Sequence, residues 1–147
     1  MFFLKDLPSQ QMIEGYAERF HINNVNSISK ALLLMRQASL LVRHLDAYFA
    51  SHNFSQLRFL ILIVIDREPD RTSLYVNEIA ERLDVSRPVM TRTLQQLVNN
   101  DLLSATQDNQ DGRARKISLT KKGKKRLLGI IPGYFAVIDG FMKEHKF

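Results

Sequence analysis

The 147 residues contain no cysteine and no tryptophan, with only four prolines and six glycines. Without cysteine there is no disulfide, no thiolate nucleophile and no thiol-based redox sensor. His21, His44, His52 and His145 are scattered, with no H-x-x-x-H spacing and no cysteine to complete a ligand set, so no metal site is expected. There is no P-loop and no G-x-S-x-G elbow. Asp108 and Asp111 share one polar turn, an exposed setting unlike the water-excluded sites that favour acid–base chemistry, so no catalytic residue is assigned. No apolar run approaches the roughly 20 residues that span a bilayer. The N-terminus, MFFLKDLPSQQ, meets Asp6 and Pro8 too soon for a signal-peptide core. A cytoplasmic protein is expected, with no cofactor, no membrane contact and no enzymatic role.

Positive charge is present, and it is confined. Residues 71–126 hold 12 Lys and Arg against 6 Asp and Glu, whereas residues 1–70 hold 7 against 7 and residues 127–147 hold 2 against 2. Uniform basicity would serve solubility. A surplus restricted to one stretch is what binding to phosphates requires.

That stretch, residues 74–123, has the clearest pattern in the chain. Val76, Ile79, Ala80 and Leu83 fall at i, i+3, i+4 and i+7, one apolar stripe on a helix of about two turns. Asp84 and Val85 interrupt it. Ser86 then suits an N-cap, its hydroxyl able to accept from orphan backbone donors, and Pro88 is tolerated in the first turn of a second helix. In that helix Met90, Leu94, Leu97 and Val98 repeat at helical spacing, which turns Arg87, Pro88, Thr91, Arg92, Gln95 and Asn99 to the other side. Arg donates twice to guanine and Gln pairs with adenine, so this face has the chemistry of major-groove reading. A helical hairpin with a solvated face fits these two helices equally well. The following residues favour the first reading: 102–106 can form a strand, 107–112 are turn-forming, and 114–119 return as a second strand with Arg113, Arg115 and Lys116 at or near the loop. The hairpin is a cationic projection beside the second helix.

These motifs resemble the MarR-type winged-helix transcriptional regulators. Asp111-Gly112-Arg113 followed by Leu119-Thr120-Lys121-Lys122-Gly123 is similar to that family's D-x-R wing signature and L-T-x-x-G helix start. Val76-Asn77-Glu78-Ile79-Ala80, Val85-Ser86 and Thr91-Arg92 resemble its helix-turn-helix. The family usually has Gly where Asp101 stands and often a charge near Ala105 and Thr106; this chain departs from it at both places. The resemblance implies a homodimer on double-stranded DNA at an inverted-repeat operator, most often a repressor, released by a small aromatic or lipophilic effector. It implies DNA contacts from Ser86, Arg87, Pro88, Thr91, Arg92, Gln95, Asp111, Arg113, Arg115 and Lys116. A winged helix used for protein contact, or as a non-specific nucleoid protein, is the alternative.

The flanks read as helices. Pro8 and Ser9 can open one with Ile13, Tyr16, Ala17 and Phe20 on a stripe; Val25, Ile28, Leu32, Met35, Val42 and Phe49 follow heptad spacing in a longer one. Leu33, Leu34, Leu40, Leu41 and Leu45 lie on its other faces, and a helix apolar on several sides needs cover that a second subunit would supply. Ser55 can cap a segment whose run Phe59-Leu60-Ile61-Leu62-Ile63-Val64-Ile65 suits helix or strand by pattern; the resemblance selects helix. Residues 66–73 read as a loop. Thr120 caps a last helix whose first turns carry Lys121, Lys122, Lys124, Lys125 and Arg126; cations there oppose the macrodipole and are understandable if some face phosphates. Pro132-Gly133 is expected to kink or divide it. The expected architecture is mainly α with a small β-hairpin wing. It is a single domain over residues 1–147, with dimerisation helices at about 1–53 and 121–147 around a winged helix-turn-helix at about 54–120.

Overall fold

Three serines and threonines set where the helices of this computed structural model begin; it describes residues 1–108, 110 and 112–146. Ser9 accepts the Met12 N–H at 3.2 Å and opens α1 (Gln10–Phe20); Ser55 accepts the Arg58 N–H at 3.2 Å and opens α3 (Gln56–Asp66). Thr120 accepts the Gly123 N–H at 2.9 Å and opens α6 (Lys121–Glu144). Each hydroxyl satisfies a donor that the first helical turn leaves without a partner. Between α1 and α3 runs α2 (Val25–Ser51). After α3 come β1 (Ser73–Tyr75), α4 (Val76–Glu81), α5 (Arg87–Asn99), β2 (Leu103–Gln107) and β3 (Arg115–Leu119).

The chain forms two compact units, one of residues 1–47 with 137–147 and one of residues 48–136. The boundaries fall inside α2 and α6, not at the loops around residues 53 and 120.

The second unit is built around α3, where Phe59, Ile61, Leu62, Val64 and Ile65 are all buried. Burial on several sides explains the unbroken apolar run, and the Ser55 cap decides in favour of helix. Phe59 joins Phe49 and Tyr134 in an aromatic cluster with ring centroids 4.6 to 5.9 Å apart. The sheet is antiparallel in the order β1-β3-β2, with Leu74 and Ala105 both opposite Ile117. Leu74, Leu103 and Ile117 carry its buried face. Strand β1 was not expected, and only its first residue, Ser73, falls in the stretch read as loop; three residues are too short for alternation to show.

Helix α6 continues through Pro132, so of the kink or division expected there the division does not occur. The Tyr48 hydroxyl donates to the Ile130 carbonyl at 2.7 Å, and a β-carbon on Gly133 would come within 2.3 Å of that hydroxyl oxygen. Tyr48 thus packs directly on the stretch where proline removes a backbone donor.

In the first unit Ile13, Ala17, Leu45 and Phe141 are buried, and His44 meets Phe141 edge-on at 5.6 Å. The Ser39 hydroxyl donates to the Phe2 carbonyl at 3.2 Å. The stripe expected on α1 divides: Ile13 and Ala17 are covered, whereas Tyr16 and Phe20 are 64% and 61% exposed. Leu33, Leu34, Met35 and Val42 on α2 are exposed too. No single described helix is long and apolar enough to cross a membrane.

Candidate nucleic-acid interface

The start of α4 is fixed by Glu78. Its carboxylate accepts the Tyr75 N–H at 3.0 Å and two bonds from Arg71, at 3.1 and 2.5 Å. Arg71 is the main reason the Glu78 carboxyl lies below its ordinary pKa, with the Tyr75 N–H next; the same pairing raises the arginine. Arg82 pairs with Glu68 at 3.0 Å and donates to the Glu78 carbonyl, holding the exit of α4 against the preceding loop. Ile79 is buried; Val76, Ala80 and Leu83 are half-buried.

Helix α5 then presents two unlike faces. Met90, Thr93, Leu94 and Leu97 are buried, and the Thr93 hydroxyl is satisfied by the Val89 carbonyl at 2.8 Å. Arg87, Pro88, Thr91, Arg92, Gln95 and Asn99 are exposed, as the spacing predicted. Ser86 has the extended N-cap backbone, φ −67° and ψ 151°, and its carbonyl accepts the Met90 N–H at 3.0 Å. Its hydroxyl makes no cap bond, contrary to expectation. Pro88, at the second helical position, removes one of the two N–H groups such a hydroxyl can meet. The Gln95 amide donates to Asn99 at 2.9 Å, so it must exchange that exposed partner for a base edge.

The end of α5 explains the departure at Asp101. The Leu102 N–H reaches the Leu97 carbonyl at 2.9 Å and the Asp101 N–H the Val98 carbonyl at 3.0 Å, the paired bonds of a Schellman turn. Asp101 is left-handed, φ 58°, where glycine is the unstrained residue. The turn is pinned to α6: the Thr120 hydroxyl donates to the Asp101 carbonyl at 2.6 Å, and the Thr120 N–H to Leu102 at 3.2 Å. A β-carbon on Gly123 would sit 2.0 Å from the Leu102 carbonyl oxygen, so only glycine permits this approach. The L-T-x-x-G motif is therefore the joint between recognition helix, wing and final helix.

At the wing base the Asp108 N–H donates to the Ala114 carbonyl at 2.9 Å, and the Gln110 N–H to the Asp108 carboxylate at 3.1 Å. The Tyr75 hydroxyl donates to the other oxygen of that carboxylate at 2.5 Å. This bond is the main cause of both a raised Tyr75 phenol and a lowered Asp108 carboxyl. Lys116 is half-buried with its ammonium 5.7 Å from the centre of the Tyr75 ring, facing the wing base. Arg113 and Arg115 are exposed. Asp111, expected to contact DNA, lies outside the described residues.

Two depressions gather these side chains. Arg87, Pro88, Thr91, Arg92 and Gln95 line one along α5, with Gln96 and Asn99. The other, about 940 Å³, brings Arg87 and Thr91 together with Arg113 and Arg115 of the wing and with Tyr75, Asn77 and Asp108. The two share Arg87 and Thr91, so the exposed side chains of α5 and those of Arg113 and Arg115 border one continuous surface, while Ser86 and Lys116 line neither depression. Sequence reasoning missed Tyr75, whose partner is 33 residues away. Among the described residues no group of three or more His, Asp or Glu is placed to hold a metal ion.

A sequence profile of the MarR family matches residues 52–114. The HTH-type transcriptional repressor YetL of Bacillus subtilis is 29% identical over 143 residues, covering 97% of this chain and 85% of YetL. A MarR-like transcription regulator of Bacillus cereus, described as putative, superposes with a TM-score of 0.72 at 16% identity, covering 84% of this chain and 86% of that one. Sco3205, a MarR family transcriptional regulator of Streptomyces coelicolor solved in complex with DNA, gives 0.74 at 18% identity, over 85% of this chain and 78% of that one.

Proposed function

We propose that the chain, which matches the MarR family profile over residues 52–114 and YetL over 97% of its length, is a MarR-type homodimeric, sequence-specific DNA-binding transcriptional regulator. It acts in the cytoplasm as a repressor, is released by a small aromatic or lipophilic ligand, and catalyses no reaction. The observation that carries this reading is the groove in which Arg87 and Thr91 of α5 meet Arg113 and Arg115 of the wing. A duplex laid there offers a major groove to α5 and phosphates or a minor groove to the wing. YetL, named a repressor, supports the direction of control, and the DNA complex of Sco3205 supports the partner.

The dimer rests on uncovered apolar surface. All but three of the large apolar side chains left exposed among the described residues lie in the unit of residues 1–47 and 137–147, the exceptions being Val89, Leu128 and Phe135. So much apolar surface on one small unit calls for a partner. A two-fold dimer would place its recognition helices in successive major grooves about 34 Å apart, giving an inverted-repeat operator.

To test it, duplexes are selected from a random pool by the wild-type protein, and its assembly is followed by sedimentation at micromolar concentration. The expected result is a dimer and a selected site with dyad symmetry. Leu34→Glu, at a position 60% exposed in the single chain, should give folded monomers that bind the selected site poorly. A wild-type monomer, or binding indifferent to sequence, would overturn the reading in favour of a protein-binding or nucleoid role.

A further inference from the structure

The loop bonds at the base of the wing close the hairpin on itself, but they do not orient it. Asp108 to Ala114 and Gln110 to Asp108 are contacts within the loop. Among the described residues, the Tyr75 hydroxyl on Asp108 ties the loop to the rest of the unit. It is the last residue of β1, paired in register with Lys116 of β3, and Lys116 is paired on its other side with Thr106 of β2. From that edge the phenol reaches past β3 to Asp108, which directly follows β2. One side chain therefore spans all three strands.

We propose that Tyr75 is a positioning residue for DNA binding: its hydroxyl on Asp108 and its ring beneath Lys116 lock the wing to the start of α4 and thereby set where Arg113 meets the DNA backbone. This inference rests on the DNA-binding reading above. Three features support it. The Tyr75 backbone is also the N-cap of α4 and is held by Glu78, itself gripped by Arg71, so the anchor is rigid where the wing attaches. A hydroxyl on a carboxylate at 2.5 Å is at the short, charge-assisted end of hydrogen bonding. Finally, Tyr75 and Asp108 line the same groove as Arg87, Thr91 and Arg113, so a change in their bond alters the spacing between recognition helix and wing. Lys116 supplies a cation to both partners of the pair, over the ring and beside the carboxylate.

The experiment uses the full chain and two readouts. The first needs no DNA: trypsin cleavage after Arg113 and Arg115 should be faster in Tyr75→Phe than in wild type, because the loop opens more often, with global stability checked by thermal unfolding. The second measures binding to a duplex selected by the wild-type protein and to a scrambled duplex over a salt series. Tyr75→Phe should weaken both by a similar factor, roughly three- to tenfold. It should lower the salt slope by about 0.9 for each phosphate that Arg113 then fails to neutralise, roughly 1.8 when both subunits of the dimer lose one. In an Arg113→Ala background the same change should cost nothing further, since the tyrosine acts through that arginine. Asp108→Ala, at a loop position outside the core, should reproduce each result and serves if Tyr75→Phe folds poorly. Unchanged cleavage and salt slope in both variants, or a loss that adds in full to that of Arg113→Ala, overturns the proposal. If the wing loosens as expected but the wild-type protein binds the two duplexes alike, the sequence-specific reading falls and the clamp stands.

Discussion

Replacing Asp101 by glycine should stabilise the protein. Residue 101 is held left-handed, φ 58°, by the two Schellman bonds and by the Thr120 hydroxyl on its carbonyl, and none of these uses its side chain. The left-handed conformation costs an L-residue roughly 1–2 kcal/mol, with aspartate near the lower end. Glycine removes that cost but gains freedom in the unfolded chain worth about 0.4–1 kcal/mol. The net backbone gain is therefore about 0–0.6 kcal/mol. The carboxylate also stands at the negative end of the α5 dipole, so its removal adds about 0.3–1 kcal/mol in the same direction, roughly 1 kcal/mol together. For a chain of this length 1 kcal/mol moves Tm by roughly 2–4 °C, which sets the expected rise at about 1–4 °C. Asp101→Ala is the control: it removes the same charge but keeps a β-carbon without aspartate's tolerance of this conformation, and it should melt below wild type. Thermal unfolding by circular dichroism, at one fixed protomer concentration because assembly shifts Tm, measures both. If the glycine variant melts no higher than the alanine variant, backbone strain at residue 101 is not what the turn stores.

Gly123→Ala should have the opposite effect, costing about 3 kcal/mol or more because its methyl would sit 2.0 Å from a backbone oxygen that cannot swing aside; a Tm fall on the order of 10 °C is expected. Glu78 binds its proton less readily when folded than its ordinary value of 4.5 allows, so it contributes stability above that pH, which is lost as pH falls through the lowered folded value. Glu78→Gln should therefore lower the urea midpoint at pH 7 and flatten its decline below pH 4.5; equal slopes for both proteins would count against the Arg71 pairing. Arg92→Ala should relax base preference at particular operator positions by about 1–3 kcal/mol, whereas Arg113→Ala should weaken selected and scrambled duplexes alike and lower the salt slope by about 0.9 for each phosphate it no longer neutralises. Identical behaviour of these two variants would show that helix and wing do not divide the work in this way.

The residues legible in advance were those whose roles depend on local spacing. Ser9 and Ser55 cap, Arg87 to Asn99 turns one polar face outward, and Thr120 and Gly123 mark the joint after the hairpin. Each follows from a period of 3.6 residues or from a side chain bonding its own backbone three residues on. What stayed hidden depends on partners distant in sequence. Strand β1 exists because Leu74 pairs with Ile117, and the wing clamp because Tyr75 meets Asp108. Pro132 leaves α6 undivided in a stretch packed against Tyr48.

The basic start of α6 shows the same limit with a functional consequence. Lys122, Lys124 and Arg126 oppose the dipole of their own helix, and phosphates were the expected compensation. The structure supplies other partners. Lys122 donates to the Asn100 carbonyl at 3.1 Å, Lys124 pairs with Asp66, and Arg126 donates to the His52 carbonyl while lying 5.3 Å from the Phe54 ring centre. Asn100 closes the negative end of α5, so a lysine unfavourable to its own helix is favourable to its neighbour's. Lys122 thus holds the end of α5, whereas Lys124 and Arg126 tie α6 to Asp66 and to the turn at His52 and Phe54. On α5 and the wing the exposed cations are Arg87, Arg92, Arg113 and Arg115. Salt dependence should accordingly be carried by these arginines and only weakly by Lys122, because screening by salt acts on the phosphates a side chain neutralises and not on its formal charge.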